Sequence, residues 1–139
     1  MIRIPRAIVE AIIAQARAEL PNEACGLLTG VDGYVSAHYP MRNVDASPEH
    51  FSFDPREQFA VLRSARAEGQ RIVANYHSHP STPAHPSEED IRLAFDPDLI
   101  YIIVSLAQQE PVVKAFMIQE GQASEIGLNI FGYGLDERS

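Results

Sequence analysis

The sequence predicts an α/β fold, one sheet flanked by helices. Three observations carry this. Apolar residues recur at helical spacing in separate segments. Short apolar runs bounded by turn residues lie between them. Three such runs then follow in succession at the end of the chain, as a sheet requires. A length of 139 residues suits one domain, spanning residues 1–139, around one core.

The elements follow in order. Residues 5–19 carry Ile8, Ile12, Ile13 and Ala16 at a helical period, with Pro5 suited to the first turn and Pro21 ending the run. Residues 24–30 form a short apolar strand, and Asp32-Gly33 is a hairpin-type turn signal. Residues 34–41 return as a second strand. Residues 43–54 are polar and contain Pro48, which predicts a loop leading to a short edge strand around Phe51 and Phe53. Asp54-Pro55 opens a helix over 55–68, with Phe59 and Leu62 expected inward and Gly69 as its stop. Residues 71–78 look like a buried strand. Pro80 to Pro86 is a Pro/Ser/Thr loop, and a third helix is expected over 87–95, ending before Pro97. Residues 99–106, 111–118 and 123–130 complete the set as three strands.

Composition excludes several functions. The chain is 45% hydrophobic and 22% charged, ordinary for a folded protein. No stretch approaches the ~20 apolar residues of a membrane span. Glu10, Gln15 and Arg17 interrupt the apolar N-terminus, which therefore reads as an amphipathic helix rather than a secretory signal, and a cytoplasmic protein is expected. The net charge is −8, Lys114 is the only lysine, and no basic cluster offers a footprint for nucleic acid. Cys25 is the single cysteine, so an intrachain disulfide and a cysteine-rich zinc site are both excluded. Any metal must use histidine and carboxylate.

The informative stretch is YHSHPSTPAHPSEED, residues 76–90. His77 and His79 end a predicted strand, where side chains two apart point to one face. Both imidazoles can reach one ion. Asp90, in the first turn of the next helix, can bring a carboxylate to the same point. Two imidazoles, one carboxylate and a water make the open four-coordinate site of a catalytic zinc. Such a water needs a group to take its proton and pass it on. Glu23, at the head of the strand 24–30, is the candidate. Gly26 just after it permits close approach.

Each residue also has a plainer role. A His-x-His pair can decorate a surface strand. Ser87 and Asp90 form a capping-box pattern that any helix start can use. The two uses are compatible, because a capped helix start is a rigid ligand platform. Cys25 is expected to be a small buried residue. His85, in the Pro-rich loop, is a substrate-side or surface imidazole.

Taken together, Glu23, His77-Ser-His79-Pro80, the seven residues Pro80–Pro86 and Ser87-Glu-Glu-Asp90 resemble the JAMM motif of the MPN-domain metalloproteases. All five key positions are filled at the family's spacing, and GluAlaCysGlyLeuLeuThrGly resembles the short prokaryotic members. The resemblance implies an MPN (cytidine-deaminase-like) domain with a mixed, mostly antiparallel sheet flanked by helices. It implies Zn2+ on His77, His79 and Asp90, Glu23 as general base and then acid, and Ser87 as hydrogen-bond donor to the oxyanion. It implies a peptidase or isopeptidase acting through a metal-activated water at the C-terminus of ubiquitin-like (sulfur-carrier) proteins. The chain lacks the long insertions of the relatives that select polyubiquitin.

Three alternatives stand beside this. A catalytically inactive MPN module would bind partners only, but such modules lose motif residues. An Fe(II) oxygenase uses two histidines and one carboxylate, but on a β-rich jelly-roll-like frame rather than a helix start. A metal-free binding domain would leave the histidines decorative.

Overall fold

The computed structural model describes residues 1–94 and 96–132. Eight strands and three helices follow one another along it: β1 (Ile2–Pro5), α1 (Arg6–Ala18), β2 (Cys25–Val31), β3 (Tyr34–Met41), α2 (Pro55–Ala67), β4 (Arg71–His79), α3 (Glu88–Leu93), β5 (Ile100–Ser105), β6 (Val112–Gln119), β7 (Gln122–Ile126) and β8 (Leu128–Phe131). The strands make one sheet in the order β7-β6-β5-β4-β2-β3-β1-β8. Pairing is parallel at β4–β5, β3–β1 and β1–β8 and antiparallel elsewhere. This is the mixed, mostly antiparallel sheet with flanking helices expected above.

The Asp32-Gly33 turn joins β2 to β3, with both residues at positive φ (53° and 81°). That geometry suits the twist of a two-residue hairpin. β2 lies between β3 and β4, and it is buried on both faces because α1 covers one and α2 the other. Leu28, Ala74, Tyr76, Ile102 and Val104 pack with Val9, Ile12 and Ala16 of α1 on one face. Cys25, Leu27 and Met41 pack with Val61 of α2 on the other. Each large apolar side chain removed from water in these layers contributes about 1.5–3 kcal/mol. Gly26 has a specific reason: a Cβ there would fall on the Tyr76 ring. The Tyr76 hydroxyl donates to Gln15 Oε1 (2.6 Å), and Gln15 Nε2 donates to the Cys25 carbonyl (3.0 Å), locking α1 to the sheet.

Several expectations are corrected. The first helix starts at Arg6; Pro5 is extended and ends β1. Ile2 and Ile4 are buried on one face of that strand, a period-two signal only four residues long. Phe51 and Phe53 lie in an irregular loop and not in an edge strand. They pack edge to face with centroids 5.5 Å apart and against the second apolar layer. Helix α2 turns Val61 and Ala65 inward, leaves Leu62 half-buried, and exposes Phe59 under the Arg63 guanidinium. Both pairs have helical spacing; only contact with β2 and β4 selects one. α3 is shorter than 87–95, and Phe95 lies outside the described residues, as does the 133–139 end of the span assigned to the domain.

The last predicted strand, 123–130, is two. Ile126 pairs with Ala115 of β6, and Leu128 pairs with Ile2 of β1. One extended segment, bent at Gly127, therefore joins the two outer edges and curls the sheet. None of the described helices is long and apolar enough to cross a membrane.

Candidate metal centre and active site

β4 carries the first two groups. Its residues alternate between faces, so Tyr76 and Ser78 turn toward α1 while His77 and His79 turn toward α2. Both histidines are almost fully buried. Asp90 arrives from α3, whose start is held by a capping box. Ser87 Oγ accepts from the Asp90 amide (3.0 Å), and the Ser87 amide donates to Asp90 Oδ2 (2.9 Å). The capping role and the ligand position thus belong to the same carboxylate.

Three atoms converge. His77 Nε2 and His79 Nε2 are 3.1 Å apart, and Asp90 Oδ2 lies 3.1 Å from the first and 3.2 Å from the second. Ligand atoms about 2.0–2.1 Å from a tetrahedral zinc stand roughly 3.3 Å from one another. The His79 Nδ1–H donates to the Pro83 carbonyl (2.9 Å), which leaves the Nε2 lone pair aimed inward. His77 Nδ1 is buried with no hydrogen-bond partner among the described residues. Its ring is oriented instead by stacking on Phe51, centroids 4.6 Å apart and planes at 25°. Acceptor atoms crowded this closely fit a shared divalent cation.

The electrostatics of His77 and Asp90 agree with a metal site, and those of His79 favour its charged form while no cation is present. Burial lowers the His77 pKa and favours the neutral ring that a metal needs. For His79, burial opposes charge, but the Asp90 and Pro83 hydrogen bonds outweigh it and raise the pKa. Burial alone would raise Asp90; the hydrogen bonds from His77 and His79 and the Ser87 amide hold it well below the usual carboxylate range.

Glu23 stands just before β2. It is only 4% exposed, and its Oε1 has no hydrogen-bond partner among the described residues. Burial pushes its pKa up to about 8, against the pull of His79 and with added repulsion from Asp90 and Glu89. It therefore lies within electrostatic reach of His79 and Asp90, two of the three converging groups. Ser78, the residue between the histidines, helps seat it. Its hydroxyl accepts from the Ala24 amide (2.8 Å), and its own amide donates to the Ala24 carbonyl (2.9 Å).

A cavity of about 320 Å³ opens beside His77 and Asp90, walled by Phe51, Phe53, Leu99, Tyr101 and Asn75.

The structure brings Glu23, His77, His79, Ser87 and Asp90 to one place. His85 stands apart from the three converging atoms: Nδ1 donates to the Pro86 carbonyl (3.0 Å), and the ring packs edge-on to Phe116. Cys25 is fully buried, and burial pushes its thiol up to about 12, so it is no nucleophile. Sequence reasoning missed the roles of Phe51, Ser78 and the Pro83 carbonyl. Only Ser78 carried a signal, its place inside the His-x-His pair.

A sequence profile described as prokaryotic homologues of the JAB domain matches residues 5–119. The chain is 36% identical over 126 residues to a CysO-cysteine peptidase of Mycobacterium tuberculosis, covering 88% of this chain and 86% of that one. It is 35% identical over 120 residues to a probable TtuB-protein conjugate cleaving protease of Thermus thermophilus, covering 86% and 77%. A solution structure of a protein from Desulfitobacterium hafniense superposes with a TM-score of 0.87 at 47% identity, covering 99% and 97%.

Proposed function

The chain belongs to the prokaryotic JAB-domain (JAMM/MPN) family, and from that premise we propose that it is a zinc-dependent peptidase or isopeptidase cleaving at the C-terminus of a ubiquitin-like, sulfur-carrier protein. One observation carries the reading. A buried carboxyl, Glu23, whose Oε1 has no hydrogen-bond partner among the described residues, lies within electrostatic reach of His79 and Asp90, two of the three groups whose ligand atoms are spaced for one cation. The relatives support the substrate class: one is named a CysO-cysteine peptidase and one a probable TtuB-protein conjugate cleaving protease.

His77, His79 and Asp90 hold the ion. The nitrogen and oxygen donor set suits zinc. When bound, zinc supplies a Lewis acid that acidifies water and polarises the scissile carbonyl. The protein's own groups do the rest. Glu23 removes a proton from the attacking water and delivers it to the departing nitrogen, so one residue is base and then acid. Ser87 accepts from the Asp90 amide, which leaves its hydroxyl proton free to donate to the developing oxyanion. Phe51 and Phe53 shield one side of the site and keep His77 dry. Ser87 is not a nucleophile in this scheme, since no base among the described residues accepts from its hydroxyl. Residues 1–139 act as one domain, and the substrate class implies a cytoplasmic setting.

The test is incubation with the organism's own ubiquitin-like proteins and mass spectrometry of their C-termini. Cleavage should stop with a chelator and return with zinc. Unchanged C-termini in the zinc-loaded reaction would remove the proposal. Ser87→Ala should lower kcat by roughly 10²–10³-fold with metal content unchanged. A rate within error of wild type, together with a lower melting temperature, would leave Ser87 as a helix cap only.

A further inference from the structure

Asn43 follows β3 at the start of the loop that ends at α2. Its side chain uses its whole hydrogen-bonding capacity. Nδ2 donates to the carbonyls of Glu23 and His50, both at 3.1 Å. Oδ1 accepts from the amides of Asp45 (3.1 Å) and Ser52 (3.3 Å). Two carbonyls on one side and two N–H groups on the other leave a single orientation for the amide.

The loop gathered this way touches the site twice more. The Ser47 carbonyl accepts the Glu23 amide (2.8 Å), and Phe51 stacks on His77. Glu23 itself lies outside the β2–β4 ladder, whose register begins at Cys25. Its backbone amide and carbonyl are therefore both held by this loop: the N–H by Ser47, the C=O by Asn43.

We propose that Asn43 is a positioning residue: its four hydrogen bonds fold the 43–52 loop into a clamp that fixes the Glu23 backbone and so aims the Glu23 carboxyl at the metal centre. The inference rests on Glu23 being the proton carrier proposed above. A mobile backbone at Glu23 would let the carboxyl drift, and misplacement of about 1 Å costs a catalytic group roughly 10²-fold. Asn43 itself touches no reacting atom.

Asn43→Asp tests this. The variant keeps the shape and can still accept from Asp45 and Ser52. It loses both donors and sets an oxygen against the Glu23 carbonyl. The first readout is amide hydrogen exchange at Glu23, which is independent of activity. Exchange should quicken by roughly 10–10²-fold, with the Leu28 amide unmoved.

The second readout uses a C-terminal tail peptide of the organism's own ubiquitin-like protein, coupled to a fluorogenic amine. kcat should fall roughly 10–10²-fold with KM within about 3-fold and zinc content unchanged. In a Glu23→Gln background the same substitution should cost nothing further, because the group it positions is already gone. An unchanged Glu23 amide, or an equal loss in both backgrounds, would overturn the proposal. If Asn43→Asp does not fold, Asn43→Ala is read in the same cycle. A wild-type protein that leaves the tail uncut, while Asn43→Asp still frees the Glu23 amide, removes the substrate assignment and leaves the clamp standing.

Discussion

Glu23→Gln should lower turnover by roughly 10²–10⁴-fold, the range that positioned proton transfer supplies, and keep its zinc. The residue is not among the three converging ligand atoms. The amide has the same shape as the acid but can neither take a proton from water nor return one to an amine. Metal content and kcat are measured on the same preparation. Loss of both together would make Glu23 a structural support of the metal site and not a proton carrier.

The same variant should change stability in the metal-free protein, with a sign set by burial. The Glu23 pKa is raised from 4.5 to about 8. The protonated form is therefore the one the fold favours. Below the unfolded value of 4.5 both variants carry a neutral side chain, and their stabilities should match. As pH rises from 4.5 toward 8, the wild type progressively loses the stability of the neutral form, because the unfolded chain releases that proton more readily. Glu23→Gln has no such loss and should become the more stable protein above pH 8, by an amount on the order of a few kcal/mol. Denaturant midpoints of the chelated proteins at pH 4.5 and 8.5 measure it. A constant difference across that range would mean that water reaches the carboxyl.

Asp90→Ala should strip the metal. Its Oδ2 supplies the one anionic ligand atom, 3.1 and 3.2 Å from the two Nε2 atoms. The loss of affinity should exceed the roughly 10–100-fold that removal of an outer-shell partner costs. Stability should fall as well, because the capping box at the start of α3 is broken, a change of roughly 0.3–1.5 kcal/mol. Asp90→Asn separates the two effects. Its carbonyl oxygen can still accept the Ser87 amide, so the helix start should survive while zinc binding weakens for lack of charge. Metal content after dialysis reads the first effect and a thermal melt the second. Full retention of zinc by Asp90→Ala would mean that the cation sits elsewhere.

The site combines short-range and long-range construction. His77 and His79 share a face because strand side chains alternate, and Asp90 is aimed by the cap that starts its own helix. Glu23 is different. It is 54 residues from His77 in the chain, and three separate contacts seat it: the loop carbonyl of Ser47, the Asn43 amide, and the Ser78 hydroxyl on its neighbour Ala24. The first set survives most rearrangements of the fold. The second depends on the whole sheet being in register.

What was legible in the sequence follows that division. The β2–β3 hairpin, the buried strand β4, the helix ends at Pro and Gly and the grouping of His77, His79 and Asp90 were all written in residues close together. Periodicity and turn chemistry act over a few residues, so local order reveals them. The inward face of α2 was misread, because Phe59-Leu62 and Val61-Ala65 are equally helical in spacing and only the opposing sheet chooses between them. Phe51 and Phe53 were misread because alternating aromatics resemble a strand, whereas Asn43 and His77 hold them in a loop.

By itself, the sequence determined an α/β chain in which two imidazoles and a carboxylate come together, since those spacings act through local backbone geometry. The tertiary structure alone decided how Glu23 is buried, how the final segment divides at Gly127 to join both edges of the sheet, and which loop grips the Glu23 backbone. Those outcomes depend on contacts between residues far apart in the chain, and such contacts exist only after the sheet has closed.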